Sequence, residues 1–462
     1  MKRAVVLGGS YAGLFAARVL SGYADEVVVL DADTIGEDGL GRLAPQRSQL
    51  HALLAMGHAR LERWFPGLTE ELVAAGARLG EGDEVRFYVD GRLKAPAEGT
   101  RMLGVTRPFL ESRIRRRVAA LPGVRLVAGE AARGLVFERD RVGGVRTASG
   151  EVLGAEFVVD AMGRSSRLGE WLEGAGWERA PLGRMRIDLG YATATFRRGD
   201  ELGRTVIAHS TPGPASDYLP TLTEPGGLAA VEGDRWSVVL AGYADRRPGT
   251  DPKEFRSRMR RCVEPLRTVA DACELTGGVE TFHFAESRRR DYLRLPRFPG
   301  GLVVVGDALA SVNPVYGQGL TLAALQADSL AAHLRSGAAW HEPARGYFRR
   351  ATAFVDAAWQ LSTTADLAQP HVEGPYPRGY RLLRWAGDRI TEASVLDPVV
   401  NTTYLNVINM VEPPRALTRP ATLLRTARVL ARAKRTAPVR GERGRGPDAV
   451  SPGGPSSGGP SC

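Results

Sequence analysis

An apolar strand, Ala4-Val5-Val6-Leu7, runs into the turn Gly8-Gly9-Ser10-Tyr11-Ala12-Gly13. After a helix, a second apolar strand, Val27-Val28-Val29-Leu30, ends on Asp31. Strand, glycine turn, helix, strand and acid in this order are the layout of a βαβ dinucleotide site. Gly8 permits the tight turn, and Gly13 lets the helix pack closely on the strand. Around Gly9 and Ala12 the helix N-terminus offers unpaired N–H groups and a positive dipole end to a pyrophosphate. Asp31 lies 18 residues beyond Gly13, where a carboxylate can accept hydrogen bonds from a ribose. The middle glycine of the usual fingerprint is Ser10, so the backbone meets the phosphates past a small hydroxyl.

With 462 residues, 43% of them hydrophobic, the chain can bury a sizeable core and form two or three structural units. It has no run of about 18 uncharged apolar residues, so no membrane-spanning helix is expected. The first strand starts almost at Met1, which leaves no room for a signal peptide. Cys262, Cys273 and Cys462 are odd in number and fit neither a disulfide framework nor zinc spacing. A cytoplasmic location and no metal are expected. The net charge of +10 would suit nucleic acid, but from Glu412 onward ten Arg and Lys face three carboxylates, leaving about +3 elsewhere. That remainder is ordinary for an enzyme, and no nucleic-acid partner is expected.

The pattern predicts an α/β fold: a Rossmann-like dinucleotide-binding domain, an inserted antiparallel β-sheet and a helical C-terminal region. After the first βαβ unit come an arginine-rich helix near Phe109–Ala120 and a strand at Val124–Ala128. Short β segments follow at Gly134–Glu138 and Val142–Thr147, then the strand Phe157-Val158-Val159 leads into Asp160. Alternating strands are read at Ile187–Arg197, Gly227–Val231, Trp236–Tyr243 and Thr281–Phe284, with a turn at Thr211-Pro212-Gly213-Pro214. A buried strand returns at Gly301–Asp307, followed by a long helix from about Leu320 to Ser336. The first domain is thus expected over 1–80, 101–180 and 286–335, and a substrate-binding sheet over 81–100 and 181–285. A helical region over 336–435 and a disordered basic tail over 436–462 complete the chain.

Three motifs carry a family resemblance. They are the N-terminal fingerprint with Asp31; Val158-Val159-Asp160-Ala161-Met162-Gly163-Arg164; and Gly306-Asp307-Ala308 followed by Asn313-Pro314-Val315-Tyr316-Gly317-Gln318-Gly319. Together they resemble the FAD-dependent monooxygenases of the aromatic-hydroxylase superfamily. The resemblance implies that Asp307 meets the ribityl chain and that the run from Pro314 to Leu320 passes beside the isoalloxazine. Gly317 and Gly319 allow close backbone approach there, and helix N-terminal N–H groups face the electron-rich edge of a reduced flavin. It also implies cofactor contacts for Arg107, in Thr106-Arg107-Pro108, for Arg42, in Arg42-Leu43-Ala44-Pro45-Gln46, and for Gly306 and Asp160.

Pro45-Gln46 with His51, Asn313-Pro314-Val315-Tyr316-Gly317, Asp356-Ala357-Ala358-Trp359 and Val399-Val400-Asn401 resemble a narrower branch, the flavin epoxidases of polyether and related natural-product pathways. The first His of that branch's string is Gln49 here. A flavin halogenase would need a Trp-x-Trp-x-x-Pro string, and the nearest text is Asp234-Arg235-Trp236-Ser237.

The reaction the resemblance implies is insertion of one oxygen atom from a flavin hydroperoxide, with Pro314, Tyr316 and Gly317 at the reacting site. The expected substrate is an alkene of a lipophilic polyketide or terpenoid intermediate, consumed with O2. NADPH or NADH supplies electrons, directly or through a separate flavin reductase. Aromatic hydroxylation is the alternative within the class, and a flavin dehydrogenase or reductase without oxygen insertion the alternative outside it. Tyr191, His209, Trp236, Tyr243 and His283, on the inserted sheet, are the candidate substrate contacts, although plain packing of the sheet suits each of them too. Leu423, Leu424, Ala427, Leu430 and Ala431 share one face of a C-terminal helix, expected to pack on the body rather than on a membrane surface.

Overall fold

Uninterrupted apolar runs such as Ala4–Leu7 and Val27–Leu30 suit strands that are covered on both faces, and this decides the first sheet. The computed structural model describes residues 1–36, 39–51, 53–99, 101–211 and 224–436. Five parallel strands stand in the spatial order Leu302–Val304, Phe157–Asp160, Arg3–Leu7, Glu26–Asp31 and Val124–Ala128. Their apolar side chains from Ala4 to Leu7, Val27 to Leu30 and Leu302 to Val304 are buried. The helix Tyr11–Leu20 and the long helix Gln318–Arg335 pack against each other beside the sheet. A three-stranded antiparallel sheet (Val152–Gly154, Arg141–Thr147, Ala132–Glu138) is joined to this layer where the Val142 N–H donates to the Gly300 carbonyl, 3.0 Å.

The second layer is an eight-stranded, mostly antiparallel sheet. Its order is Ala310–Ser311, Glu280–Arg290, Leu182–Arg197, Arg235–Tyr243, Gly226–Val231, Ile207–Thr211, Val85–Val89, Arg92–Leu93. Side-chain alternation gives it two different faces. Ala192, Ala194, Phe196, Trp236, Val238 and Leu240 form one core with Phe255, Met259, Leu266 and Val269. These last four lie on two helices, Pro252–Arg260 and Glu264–Ala272, inside the stretch read from sequence as sheet alone. Their start was legible: Asp251 caps the first by accepting from the Lys253 N–H at 3.0 Å, just before a proline. The strand Glu280–Arg290 runs past residue 285, where a domain change was expected. Its pairing with Leu182–Arg197 continues to Leu182 opposite Arg290.

The helices Arg345–Asp366, Tyr380–Ser394, Pro398–Ile408 and Pro420–Thr436 make up the C-terminal region. The last packs through Thr426, Val429 and Leu430. Of the expected apolar face only Leu430 packs inward, while Leu423 and Leu424 are exposed and Arg425 is held onto Asp397 by two hydrogen bonds of 2.8 and 2.9 Å. Of the tail read as disordered over 436–462, Thr436 closes the last helix, and residues 437–462 lie outside the described residues, as does the turn at Pro212-Gly213-Pro214. Among the described residues, no helix is long and apolar enough to cross a membrane.

A Cβ at Gly13 would sit 1.8 Å from the Gly8 carbonyl oxygen, where neither backbone can yield. Gly13→Ala is therefore expected to cost at least about 2 kcal/mol. A urea midpoint that drops with an unchanged slope would show it; an unchanged midpoint would refute the packing argument.

Candidate functional site

The three sequence motifs meet in space. Gly8 adopts φ +106°, and a Cβ there would lie 2.5 Å from the Ala161 carbonyl oxygen of the second motif. Gly306, at the start of the third motif, abuts the fingerprint helix, since its Cβ would come 2.7 Å from that of Ala12. They line one end of a cavity of about 1010 Å3 that continues along the second sheet to the C-terminal helices.

Gly8, Gly9, Ser10, Ala12, Asp31, Arg107, Gly306, Asp307, Pro314, Tyr316, Gly317, Gly319 and Leu320 all line this cavity. Tyr191, His209 and Tyr243 line it from the sheet. Gly13, Arg42, Asp160, Trp236 and His283 are not in the lining, each for a definite reason. Gly13 is a helix–strand contact. Arg42 points to solvent, and only its N–H turns inward, donating to Asp33 Oδ1 at 2.9 Å. Asp160 is wholly buried beneath its own turn, accepting from the Met162 N–H at 3.0 Å and the Ser166 hydroxyl at 2.5 Å. Burial pushes its carboxyl up to about 6. Trp236 belongs to the opposite face of the sheet, and its indole N–H donates to Glu201. His283 alternates outward between the cavity-lining Phe282 and Phe284, accompanied by Asp188 at 2.8 Å.

A buried cluster of charges organises the fingerprint end. Glu111, on the helix Arg107–Ala119, accepts from Arg107 Nε at 2.7 Å and Arg47 Nε at 2.9 Å. It also accepts from the Ser10 hydroxyl at 2.9 Å and the Tyr11 N–H at 3.3 Å. Burial would raise its carboxyl, but Arg107, Arg47 and these hydrogen bonds overcome that and hold it down to about 2. Arg47 also donates to Asp33 Oδ2 at 2.9 Å, closing the loop that carries Pro45. Ser10, the departure from the glycine fingerprint, thus turns its hydroxyl to Glu111 and also accepts from Arg107 Nη2 at 3.1 Å.

Arg107 Nη1 faces His51 Nε2 at 3.1 Å, and His51 Nδ1 lies 2.8 Å from the Gln49 carbonyl oxygen. Arginine only donates, so Nε2 accepts and Nδ1 carries the proton. Burial, reinforced by Arg107, lowers the imidazole to about 3, and His51 is neutral. Gln49 ties this loop to the sheet, accepting from Thr193 Oγ1 at 2.8 Å and donating to the Glu280 carbonyl at 3.0 Å.

At the third motif, Asn313 Oδ1 accepts from the Val315 N–H at 3.0 Å and shapes the turn Pro314–Tyr316. Asn313 Nδ2 donates to Asp366 Oδ1 at 2.6 Å and to the Tyr243 hydroxyl at 2.9 Å. The Tyr316 hydroxyl also reaches Asp366 Oδ1, at 3.3 Å. Burial raises Asp366 to about 7 against these bonds. Gly317 has φ +66°, and a Cβ on Gly319 would meet nothing within 4 Å. The turn thus leaves open the space a side chain would fill at the start of the long helix.

Sequence reasoning missed Arg47, Glu111, His51 as an acceptor, Arg164 and Lys94. Arg164 lines the cavity, lies 4.4 Å from the Phe284 ring centroid and donates to Ser311 Oγ at 2.8 Å. Arg164 stands inside the second motif and Arg47 directly follows Arg42–Gln46; Glu111 is one turn beyond Arg107 on its helix, a legible i,i+4 ion pair.

The chain is 33% identical over 437 residues, 88% of its own length and 90% of the other's, to the protein Rv3254 of Mycobacterium tuberculosis. The chain belongs to the Rv3254 family. No protein-family model matches it. Its fold is similar to that of pqsL, a probable FAD-dependent monooxygenase from Pseudomonas aeruginosa, with TM-score 0.61 and 18% identity over 84% of this chain and 99% of the other. It is equally similar to the p-nitrophenol 4-monooxygenase PnpA of Pseudomonas putida DLL-E4, with TM-score 0.63, 18% identity, 90% of this chain and 100% of that one. The flavin-dependent brominase Bmp2 matches with TM-score 0.63 and 15% identity over 94% of this chain and 98% of its own. The fold is therefore that of flavin-dependent oxygenases and halogenases.

Glu111→Gln leaves Arg107 without its carboxylate and Arg47 with Asp33 alone, and is expected to cost about 3 kcal/mol in urea unfolding. Its folded pKa of about 2 lies below the ordinary 4.5, so its contribution is fully present above pH 4.5 and fades as pH falls toward 2. The stability gap between native and variant should narrow over that window. A gap that does not change with pH would show that the charge is not the cause.

Proposed function

We propose that this chain is an FAD-dependent monooxygenase that inserts one oxygen atom into a lipophilic small molecule, with an alkene of a polyketide or terpenoid intermediate as the group attacked. The observation that supports it most is the convergence of the three motifs on one end of a cavity whose other wall is apolar sheet. The residues fit FAD: glycines let the backbone of the turn pack closely at the helix N-terminus, Arg47 and Arg107 stand by the fingerprint, and the space over Gly319 is open.

In this reading Gly8, Gly9, Ser10 and Ala12 hold the pyrophosphate, assisted by Arg107, and Asp31 the adenosine ribose. Asp307 holds the ribityl chain, while Gly317, Gly319 and Leu320 face the flavin ring. Burial raises the Asp307 carboxyl, opposed by Arg107 and Arg164. Bound FAD, reduced by NADPH or NADH directly or through a flavin reductase, supplies the activation of O2. Tyr191, Phe282, Phe284 and Val315 exclude water from the space beside Pro314 and orient an apolar group there. Asn313 and Asp366 hold the Pro314–Gly317 turn and the Tyr316 hydroxyl in place. Burial raises the Tyr191 phenol, so among the described residues on this stretch of sheet it supplies no base, which suits an alkene because epoxidation needs none. Hydroxylation of an aromatic ring is the second reading, favoured by His209. Burial, with Lys94 nearby, lowers this imidazole to about 4, leaving it neutral and able to accept a hydrogen bond from a phenolic hydroxyl.

FAD added to the purified chain should bind with a perturbed visible spectrum. Asp307→Ala is expected to weaken that binding about ten-fold or more, whereas His283→Ala leaves it within about two-fold. Turnover of a panel of terpenoid alkenes and phenols under labelled O2 should place one labelled atom in the product. Failure to take up FAD, or products without label, would refute the assignment.

A further inference from the structure

We infer that the end of the cavity remote from the fingerprint turn is a docking site for an acidic oxygen group, carboxylate or ionised enol or phenol, at one end of an elongated ligand, and that Lys94 is its anchor. Calling that ligand the substrate rests on the oxygenase reading; the site itself does not.

Lys94 follows the edge strand Arg92–Leu93 of the second sheet, and its side chain turns into the cavity rather than to solvent, leaving the residue 7% exposed. Its ammonium nitrogen has no hydrogen-bond partner. Nζ lies 3.4 Å from the centroid of the Tyr404 ring. No carboxylate among the described residues pairs with it; Asp388, another acid in the lining, is paired with Arg384 at 3.8 Å. The backbone holds it there: its own N–H donates to the Phe87 carbonyl at 2.9 Å, the Ala95 N–H to the Ser394 carbonyl at 3.2 Å, and Asn401 Nδ2 to the Ala95 carbonyl at 2.5 Å.

A buried ammonium without a counter-charge is costly, and one ring face returns only part of that cost. Burial accordingly lowers the Lys94 pKa well below the usual range, and an arriving anion would restore the proton and fill the vacant donors. A neutral carbonyl would satisfy one donor and leave the charge uncompensated. His209, the nearby polar side chain, is neutral and offers no counter-charge. The surrounding wall is Leu54, Met102, Ile207, Leu405 and Ile408, which suits an apolar body behind the acid. From the strand of Tyr191 to that of His209 are three steps across the sheet, about 14 Å at about 4.8 Å per strand. A ligand that reaches both ends is therefore long.

The test is calorimetric titration of the full chain, with and without FAD, using 6-phenylhexanoate and its neutral counterpart 6-phenylhexan-1-ol. The native chain should bind the acid about ten-fold or more tighter than the alcohol, Lys94→Met should remove the preference, and Lys94→Arg should retain part of it. Equal affinities in the native chain, no binding of the acid, or a preference that survives in Lys94→Met would overturn the inference. If Lys94→Met does not fold, protection of Lys94 in the native chain decides: the acid, and not the alcohol, should slow its acylation by succinimidyl acetate, read by peptide mass. Acid preference in a chain that takes up no FAD would overturn the oxygenase reading and leave this site standing.

Discussion

Glu111 is the constraint on which the site depends. One buried carboxylate accepts from the fingerprint turn through Ser10 and Tyr11, from its own helix through Arg107, and from the Pro45 loop through Arg47. It is the carboxylate that Arg47 and Arg107 share, with Asp33 as the second partner of Arg47, and the two arginines keep it ionised in turn. The result is a preorganised edge beside the helix N-terminus, in which Arg47 and Arg107 are balanced by Glu111 and Asp33. Ser10 then acts as a partner within this cluster rather than as a defective glycine, and the loop held by Arg47 is docked onto the second sheet through Gln49 and Thr193.

The second sheet works because its two faces do different things. One face is ordinary core against two helices, and Trp236 is part of it. The other face supplies the cavity wall with Tyr191, Tyr243, Phe282 and Phe284. A strand separates these roles by one residue, so His283 is excluded from the site that both its neighbours line. Helices from the C-terminal region cover the far end, and through them Lys94 and Ala95 are held inside rather than at the surface.

Family and fold separate cleanly from chemistry here. The likeness to Rv3254 of Mycobacterium tuberculosis places the chain in a family, and the fold is shared by proteins named as a monooxygenase and as a brominase. What distinguishes one chain from another on such a fold is the lining of the cavity: the apolar wall near Pro314, neutral His209 and unpaired Lys94.

The sequence by itself determined the parallel sheet and its glycine turn, because strand periods, helix caps and close backbone approach are local and leave marks within a dozen residues. Val124–Ala128 and Phe157–Asp160 were readable for that reason, as were the glycines at 8, 306 and 317. Strand parity across the second sheet was also written in the chain, but choosing which parity faces the cavity requires knowing where the helices Pro252–Arg260 and Glu264–Ala272 pack. Tertiary structure alone decided that choice, along with the burial of Lys94 and the charge cluster on Glu111. These depend on segments tens to hundreds of residues apart being brought within hydrogen-bond distance or sealed from water, and neither is a property of any local stretch of sequence.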